Sequence, residues 1–241
     1  GLGLADVRFA GTGSAPIPGD LVDWYRSLGL ELLEGYGMTE NFTYSHMNRP
    51  GPVRVGYVGE AQDGVEHKIG DNDEILVKSP GNMLGYYKAP ELTADCLPED
   101  GFLRTGDQGS IDEQGRLKIT GRVKELFKTS KGKYVAPAPI ENIINNHPSI
   151  ELSCVFGLGR PKACAVVNLS EDIRGKIDQP GIRDSVQAEL EELIAEVNSK
   201  VAGHEKLEFL AIAKEPWTIE SKHLTPTMKI KRSEIESTYD P

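Results

Sequence analysis

The sequence lacks the features of disulfide-rich, zinc-binding and membrane-spanning proteins. Its 241 residues include only three cysteines, Cys96, Cys154 and Cys164, and no Cys-x-x-Cys pair. We therefore expect neither structural disulfides nor a zinc site, and the thiols favour a reducing cytoplasm. Apolar runs such as residues 163–167 are far shorter than the roughly 20 residues that a membrane-spanning helix needs.

Positive charge is also scarce, since 27 Lys and Arg residues face 37 Asp and Glu residues, for a formal net charge of −10. This balance argues against a nucleic-acid-binding protein, which needs a basic face for the phosphate backbone. The basic residues are nevertheless clustered, and two basic clusters in an acidic chain indicate small anionic ligands. The clusters consist of Arg122, Lys124, Lys128, Lys131 and Lys133, and of Lys229, Lys231 and Arg232.

The sequence has no internal repeat, no low-complexity tract and no Gly-rich, Lys-bearing loop of the kind that binds nucleotide phosphates. It starts with neither a methionine nor a cleavable apolar leader. We therefore expect it to be part of a longer protein. The alternative is a stand-alone, non-catalytic module that binds a nucleotide or a partner.

The first 52 residues predict the end of an α/β layered domain. A buried strand is expected at residues 7–10 and another at residues 30–33, with a helix between them that starts at Pro18. The apolar stripe of this helix is expected to consist of Leu21, Tyr25 and Leu28.

Residues 53–123 predict a small antiparallel β subdomain, because short apolar runs alternate with Gly, Pro, Asn and Asp. Its strands are expected at residues 53–58, 65–69, 74–77 and 116–120.

Residues 124–241 predict a C-terminal α+β domain. We expect a helix around Ile140, Ile143 and Ile144, paired strands at 152–157 and 163–169, and a strand at 207–213. A long helix at residues 182–202 is expected to be capped by Gly203. Its apolar stripe consists of Val186, Leu190, Leu193, Val197 and Val201.

Three short motifs carry residue types suited to a nucleotide. In residues 36–40 (YGMTE), Tyr36 offers a ring for a flat base, and Thr39 and Glu40 offer oxygens for phosphate and Mg²⁺. In residues 104–107 (RTGD), a carboxylate can accept hydrogen bonds from two adjacent ribose hydroxyls. In residues 121–125 (GRVKE), the planar guanidinium can bind ribose or phosphate. Taken alone, the first two motifs are more typical of an ordinary turn, and the third is also typical of a charged surface strand.

Five motifs, in their order and spacing, resemble the second half of an adenylate-forming enzyme, the superfamily of acyl-CoA synthetases, adenylation domains and firefly luciferase. The other two are residues 13–16 (GSAP) and 224–232 (LTPTMKIKR). Residues 128–130 (KTS), 132–137 (GKYVAP) and 139–142 (PIEN) look most like long-chain fatty-acyl-CoA synthetases. The sequence departs from the commoner family pattern at Lys131 and Met228, where glycine is usual.

The resemblance implies an acid–thiol ligase that joins a fatty carboxylate to AMP, using ATP and Mg²⁺, and then transfers the acyl group to coenzyme A. The implied partners are these small molecules and the missing N-terminal part of the enzyme. The chain alone is then expected to be inactive, and peripheral membrane association is compatible with a lipid substrate but not indicated. An acyl-AMP ligase that serves a carrier thiol is an alternative within the same superfamily.

The resemblance also implies a role for each matching residue. Ser14, Ala15 and Pro16 would line the adenine, with Tyr36 and Gly37 covering it. Thr39 would contact phosphate, and Glu40 would hold Mg²⁺. Asp107 and Arg122 would bind the ribose, Lys229 would drive adenylation, and Lys124 would be the hinge of a mobile domain. The loop bordering the coenzyme A channel would comprise Ser130, Gly132, Lys133 and Tyr134.

Overall fold

The computed structural model describes residues 6–239 and divides into two compact units, with the boundary between Lys124 and Glu125. Both units combine helices with small, mainly antiparallel sheets, which confirms the predicted mixture of α/β and α+β structure. Within residues 6–239, no helix is both long and apolar enough to cross a bilayer.

The first sheet of the first unit has the strand order β1-β2-β3-β4. Strands β1 (Ala10–Thr12) and β2 (Leu32–Tyr36) are parallel and are joined through helix α1 (Gly19–Ser27). Strands β3 (His46–Met47) and β4 (Glu60–Ala61) extend this sheet in antiparallel pairing.

The second sheet is a four-stranded antiparallel meander of strands β5 to β8. A short helix, α2, lies between β6 and β7 in the sequence. The core of this sheet is continuous with Tyr36 of β2, which packs with Ile75, Val77 and Leu117. The elements are β5 (Glu66–Ile69), β6 (Glu74–Lys78), α2 (Pro90–Cys96), β7 (Leu103–Ile111) and β8 (Leu117–Arg122).

The second unit is built on a three-stranded sheet in which β11 pairs antiparallel with β12 and β12 pairs parallel with β13. A two-stranded hairpin, β9–β10, precedes it. The elements are β9 (Phe127–Lys128), β10 (Tyr134–Val135), α3 (Pro137–Ile144), β11 (Ile150–Phe156), β12 (Ala163–Leu169), α4 (Glu171–Arg174), α5 (Ile182–Lys200), β13 (Leu207–Ile212) and α6 (Arg232–Tyr239).

Both faces of this sheet are covered, so every residue of β12 is buried. Side chains of a strand alternate between faces, and Val155, Ala165 and Val167 accordingly pack in one core with α3 and α5. The opposite face, with Cys154 and Cys164, packs against the segment that leads into α6. The predicted stripe of α5 is confirmed, with Val186, Leu190, Leu193 and Val197 buried and Val201 packed at its edge.

One predicted strand is displaced along the chain, and another does not form. The first begins only at Ala10, and Val7 and Phe9 before it are exposed. Residues 53–58 form no strand, because a turn from Arg54 to Tyr57 and a left-handed Gly56 (φ +83°) interrupt the extended backbone. Strand β7 and helix α2 were not predicted.

Two helix details also differ from the prediction. In α1 the buried side chain is Val22, whereas Leu21 and Leu28 are exposed, so the buried face is displaced by one position. Helix α5 ends at Lys200 with an extended Val201 as its C-cap, so Gly203 is not its capping residue.

Candidate functional site

The loops that follow β1 and β2 lie at one edge of the first sheet. The two strands are parallel, with Thr12 opposite Glu34, so their carboxyl ends meet at the same edge. In α/β sheets, ligands bind at this edge. The first loop runs close to β2, since a Cβ atom on Gly13 would lie 2.9 Å from the carbonyl oxygen of Gly35. The first loop carries the exposed residues Ser14, Ala15 and Pro16.

The second loop is tightly folded after Gly37. A Cβ atom on Gly37 would lie 2.5 Å from Cα of Thr43, so only glycine fits there. The buried side chain of Asn41 accepts a hydrogen bond from the backbone N–H of Met38 at 2.9 Å. This closes the short helical turn Thr39–Asn41, in which Thr39 is exposed and Glu40 is half-buried.

The Tyr36, Asp107 and Arg122 side chains form one hydrogen-bonded cluster. The Tyr36 hydroxyl donates to Oδ2 of Asp107 at 2.7 Å, and Nε of Arg122 donates to Oδ1 at 2.8 Å. Asp107 on β7 lies directly opposite Arg122 on β8, so the sheet register fixes the ion pair. Each carboxylate oxygen has two acceptor positions, so Asp107 can still accept two hydroxyl groups.

The environment of this cluster keeps Tyr36 protonated. Burial, reinforced by the charge of Asp107, raises the pKa of the Tyr36 phenol far above its usual range. The Tyr36 ring packs into the core, with 9% of the residue exposed. Its hydroxyl is therefore a permanent donor that fixes the orientation of the Asp107 carboxylate.

Lys229 lies in a tight, exposed loop of the second unit. Leu224 and Ile230 form an antiparallel bridge at the base of the loop. Within it, the Lys229 carbonyl accepts from the N–H of Thr225 at 2.8 Å, and the Lys229 N–H donates to the Thr225 hydroxyl at 3.0 Å. Met228 has φ +62°, in the left-handed region that favours glycine.

Arg232, at the start of α6, anchors the chain after this loop. Its guanidinium binds both carboxylate oxygens of Glu141, at 2.5 and 2.9 Å, and Oε2 of Glu125 at 3.2 Å. It also donates to the carbonyl oxygen of Val155 at 2.9 Å. Helix α6 is thereby fixed to α3, to β11 and to the first residue of the second unit.

The β9–β10 turn borders a basic cavity of about 300 Å³. Gly132 has φ +78°, and its N–H donates to the carbonyl oxygen of Thr129 at 2.9 Å. The Ser130 N–H donates to the carbonyl oxygen of Arg160 at 2.9 Å, and Tyr134 is exposed. The polar side chains around the cavity come from Thr129, Lys131, Lys133, Lys162 and His204.

In the first unit the structure brings the predicted residues Tyr36, Asp107 and Arg122 into contact. Lys229 and the β9–β10 turn belong to the second unit. Three residues were not predicted from the sequence: Tyr86, whose hydroxyl binds Glu40, and Lys162 and His204 in the basic cavity. Lys124 lies in the short helical turn Val123–Glu125 at the boundary of the units.

Comparison with known proteins matches residues 3–87 to the AMP-binding enzyme family and residues 125–241 to the AMP-binding enzyme C-terminal domain. A putative fatty-acid–CoA ligase of Mycobacterium tuberculosis is 33% identical, over 99% of this chain and 44% of its own length. Peroxisomal long chain acyl-CoA synthetase 7 of Arabidopsis thaliana is also 33% identical, over 97% of this chain and 37% of its own length. The chain therefore spans less than half the length of these relatives.

A solved structure shares the fold. The A-PCP didomain of a carboxylic acid reductase from Segniliparus rugosus, in complex with AMP, superposes with a TM-score of 0.76. Its sequence is 28% identical, and the match covers 96% of this chain and 33% of that protein. With these matches over most of its length, the chain belongs to the AMP-binding enzyme family.

Proposed function

We propose that the chain is the C-terminal part of an ATP-dependent long-chain fatty acid–CoA ligase. In the first step a fatty carboxylate oxygen attacks the α-phosphorus of ATP, forming acyl-AMP and releasing pyrophosphate. In the second step the thiol of coenzyme A, having lost its proton, attacks the acyl carbon and releases AMP. The proposal is supported by the names of the relatives, which are fatty-acid–CoA ligases and acyl-CoA synthetases.

The observation that carries the nucleotide assignment is the Tyr36–Asp107–Arg122 cluster. A buried carboxylate with two fixed donors and two remaining acceptor positions suits the paired hydroxyls of a ribose. We assign the ribose to Asp107 and Arg122. The adenine is assigned to the sheet edge formed by Ser14, Ala15, Pro16 and Gly37, beside Tyr36, whose ring is packed in the core rather than open to a base.

Mg²⁺ fits the residues of the second loop. Mg²⁺ is usually held by one or two carboxylates together with substrate phosphates, and Glu40 offers a half-buried carboxylate beside the exposed hydroxyl-bearing Thr39. When bound, the metal would neutralise charge on the ATP phosphates. Glu40 would hold it, and Thr39 would donate a hydrogen bond to a phosphate oxygen.

Lys229 is assigned to the adenylation step. Its ammonium group can stabilise the negative charge that grows on the phosphate oxygens as the carboxylate attacks. At about 4 Å and an effective dielectric constant near 20, such a pair is worth on the order of 4 kcal/mol. If this interaction exists only in the transition state, it corresponds to roughly a thousandfold in rate.

The basic cavity of the second unit is assigned to the phosphate groups of coenzyme A. Three lysines and a histidine line it, in a chain that is acidic as a whole. The cavity adjoins the β9–β10 turn with Ser130, Gly132, Lys133 and Tyr134, which we propose borders the pantetheine arm.

We propose that the chain consists of three functional parts, residues 1–52, 53–123 and 124–241, and that Lys124 is the hinge of the last part.

A carrier thiol in place of coenzyme A is the second candidate. It is favoured by the likeness to the A-PCP didomain. The long-chain ligase is preferred because the two relatives that are 33% identical are named as a fatty-acid–CoA ligase and a long chain acyl-CoA synthetase. The two proposals differ in the acceptor and share the adenylation step.

The test uses the full-length enzyme that contains this chain, supplied with ATP, a long-chain fatty acid and coenzyme A. We expect acyl-CoA and AMP, and no thioester when coenzyme A is omitted. Lys229→Ala should abolish acyl-AMP formation but leave thioester formation from added acyl-AMP largely intact. Lys222→Ala, an exposed lysine outside the assigned loop, should retain both half-reactions.

Equal loss of both half-reactions in the Lys229→Ala enzyme would reject the role of Lys229. Acyl transfer to a carrier protein but not to coenzyme A would establish the second candidate.

A further inference from the structure

We propose that Tyr86 is a positioning residue that orients the Glu40 carboxylate toward a divalent cation held with the nucleotide phosphates. This inference rests on the proposed function, since it takes Glu40 as the metal ligand. Tyr86 lies 46 residues from Glu40 in the sequence, and its hydroxyl donates to Oε1 of Glu40 at 2.7 Å.

The segment that carries Tyr86 holds Glu40 at two points. Besides the side-chain hydrogen bond, the N–H of Met83 donates to the backbone carbonyl oxygen of Glu40 at 2.7 Å. Both the main chain and the carboxylate of Glu40 are therefore tied to residues 83–86. A carboxylate held at both places has fewer orientations to lose when it binds a metal.

Helix α2 in turn fixes Tyr86. The N–H of Tyr86 donates to the Thr93 hydroxyl at 2.9 Å, and this hydroxyl donates to the carbonyl oxygen of Ala89 at 3.0 Å. Gly85 (φ +147°) packs against the same residue, because a Cβ atom there would lie 2.8 Å from Cγ2 of Thr93. The phenol is thus presented from an ordered turn.

The chemistry of the contact suits a metal ligand. A hydrogen bond from a neutral phenol leaves the carboxylate its full negative charge and leaves Oε2 for the cation. A tyrosine phenol ordinarily loses its proton only near pH 10, so the hydroxyl is a donor at neutral pH. Hydrogen bonds to metal-binding carboxylates set their orientation, and removing such partners typically weakens metal binding tenfold to a hundredfold.

The neighbouring Tyr87 offers a matched control. It is 88% exposed, and its ring contact is with the ammonium group of Lys88, 5.2 Å from the ring centre. Tyr87→Phe removes the same hydroxyl group, one residue away, without touching Glu40. Both variants remove one phenolic hydroxyl, and of the two only Tyr86→Phe removes the hydrogen bond to Glu40.

The experiment measures Mn²⁺ binding to the full-length enzyme in the presence of a non-hydrolysable ATP analogue, by electron paramagnetic resonance of free Mn²⁺. We expect Tyr86→Phe to raise the Mn²⁺ dissociation constant about tenfold and Tyr87→Phe to leave it unchanged. In acyl-AMP formation, Tyr86→Phe should raise the Mg²⁺ concentration for half-maximal rate, and saturating Mg²⁺ should restore kcat.

The Glu40→Gln variant separates the metal-binding role of Glu40 from the positioning role of Tyr86. Weak Mn²⁺ binding by Glu40→Gln together with wild-type binding by Tyr86→Phe would overturn the positioning role and leave the proposed function intact. Wild-type binding by Glu40→Gln would reject Glu40 as a metal ligand, and the inference with it. A lowered kcat at saturating Mg²⁺ with unchanged Mn²⁺ affinity would likewise overturn it.

Discussion

At the scale of single residues, His46 and its half-buried neighbour His67 show how burial sets a charge state. His46 on β3, paired with Tyr36 on β2, is 2% exposed. Its Nε2 lies 2.5 Å from Nδ1 of His67, and its Nδ1 lies 2.9 Å from the Ser45 hydroxyl. Burial, reinforced by the neighbouring His67, lowers the pKa of His46 to about 3.

The histidine pair predicts that the first unit loses stability in mild acid. The pKa of His46 is about 3 when folded and about 6.5 when unfolded, so between these values the unfolded chain binds more protons. Its contribution is therefore complete above the unfolded pKa and falls as the pH drops toward 3. From pH 7.5 to 5.5, His46 should lower the free energy of unfolding by about 1.4 kcal/mol.

Urea unfolding of the full-length enzyme at the two pH values measures this effect. His46→Gln should reduce the difference between pH 7.5 and pH 5.5 by about that amount. The exposed His204 provides a control, and His204→Gln should keep the wild-type difference. An unchanged pH dependence in His46→Gln would show that His46 does not titrate as its burial requires.

Residue types were readable from the sequence, but their contacts were not. The motifs placed Tyr36, Asp107 and Arg122 in one candidate site. Nothing in their spacing indicated that the Tyr36 hydroxyl binds Asp107 across 71 positions. Tyr86 and Glu40 illustrate the same limit, because such partners are set by strand register and loop packing, which the one-dimensional pattern does not contain.

At the scale of elements, prediction succeeded where burial leaves a clear apolar pattern. The stripe of α5 follows the period of 3.6, and β11 and β12 are apolar runs because both faces of their sheet are covered. It failed for β7, where Arg104, Asp107 and other polar residues interrupt the apolar pattern. It also failed at residues 53–58. Apolar residues alternate there with other residues as in a strand, but the backbone forms a turn.

The attachment of α6 to the rest of its unit predicts a large stability effect at Arg232. Its side chain is 11% exposed and that of Glu141 is 9% exposed, so the pair is almost fully buried. Removing one partner of a buried pair leaves a charge without compensation and costs about 3–5 kcal/mol. Arg232→Met should therefore lower the free energy of unfolding by about 3 kcal/mol in urea titration.

A second substitution distinguishes lost charge compensation from lost packing. In Arg232→Met/Glu141→Gln the remaining amide oxygen can still accept the Val155 N–H, so part of the stability should return. The exposed pair of Arg183 and Asp178 is the control, and Arg183→Met should change stability by less than about 1 kcal/mol. If the double variant were less stable than Arg232→Met, uncompensated charge would not be the cause.

At the scale of the whole molecule, the proposed site residues are distributed over both compact units. The nucleotide cluster and Glu40 belong to the first unit, whereas Lys229 and the basic cavity belong to the second. The sequence motifs supplied Glu40, Lys229 and the nucleotide cluster, but not Lys162 and His204 of the cavity. The partition follows from packing, because each unit buries its own core.

This partition makes the backbone at Lys124 the place to test the proposed hinge. Lys124 is the middle residue of the short helical turn Val123–Glu125, directly before the unit boundary. Proline there fixes φ near −65° and removes the N–H, so it restricts rotation between orientations of the units. In the full-length enzyme, Lys124→Pro should reduce one half-reaction at least tenfold more than the other, because the proposed function assigns different residues of the second unit to the two steps.

Single-turnover assays of acyl-AMP formation and of thioester formation from added acyl-AMP measure the two effects separately. Lys124→Ala removes the side chain but leaves the backbone free to rotate, so both half-reactions should stay near the wild-type rates. Equal damage to both steps by Lys124→Pro would indicate a general loss of structure. Wild-type rates in both steps would show that Lys124 is not the hinge. A proline at the hinge has a fixed φ and could not adopt the different backbone torsions of two domain orientations.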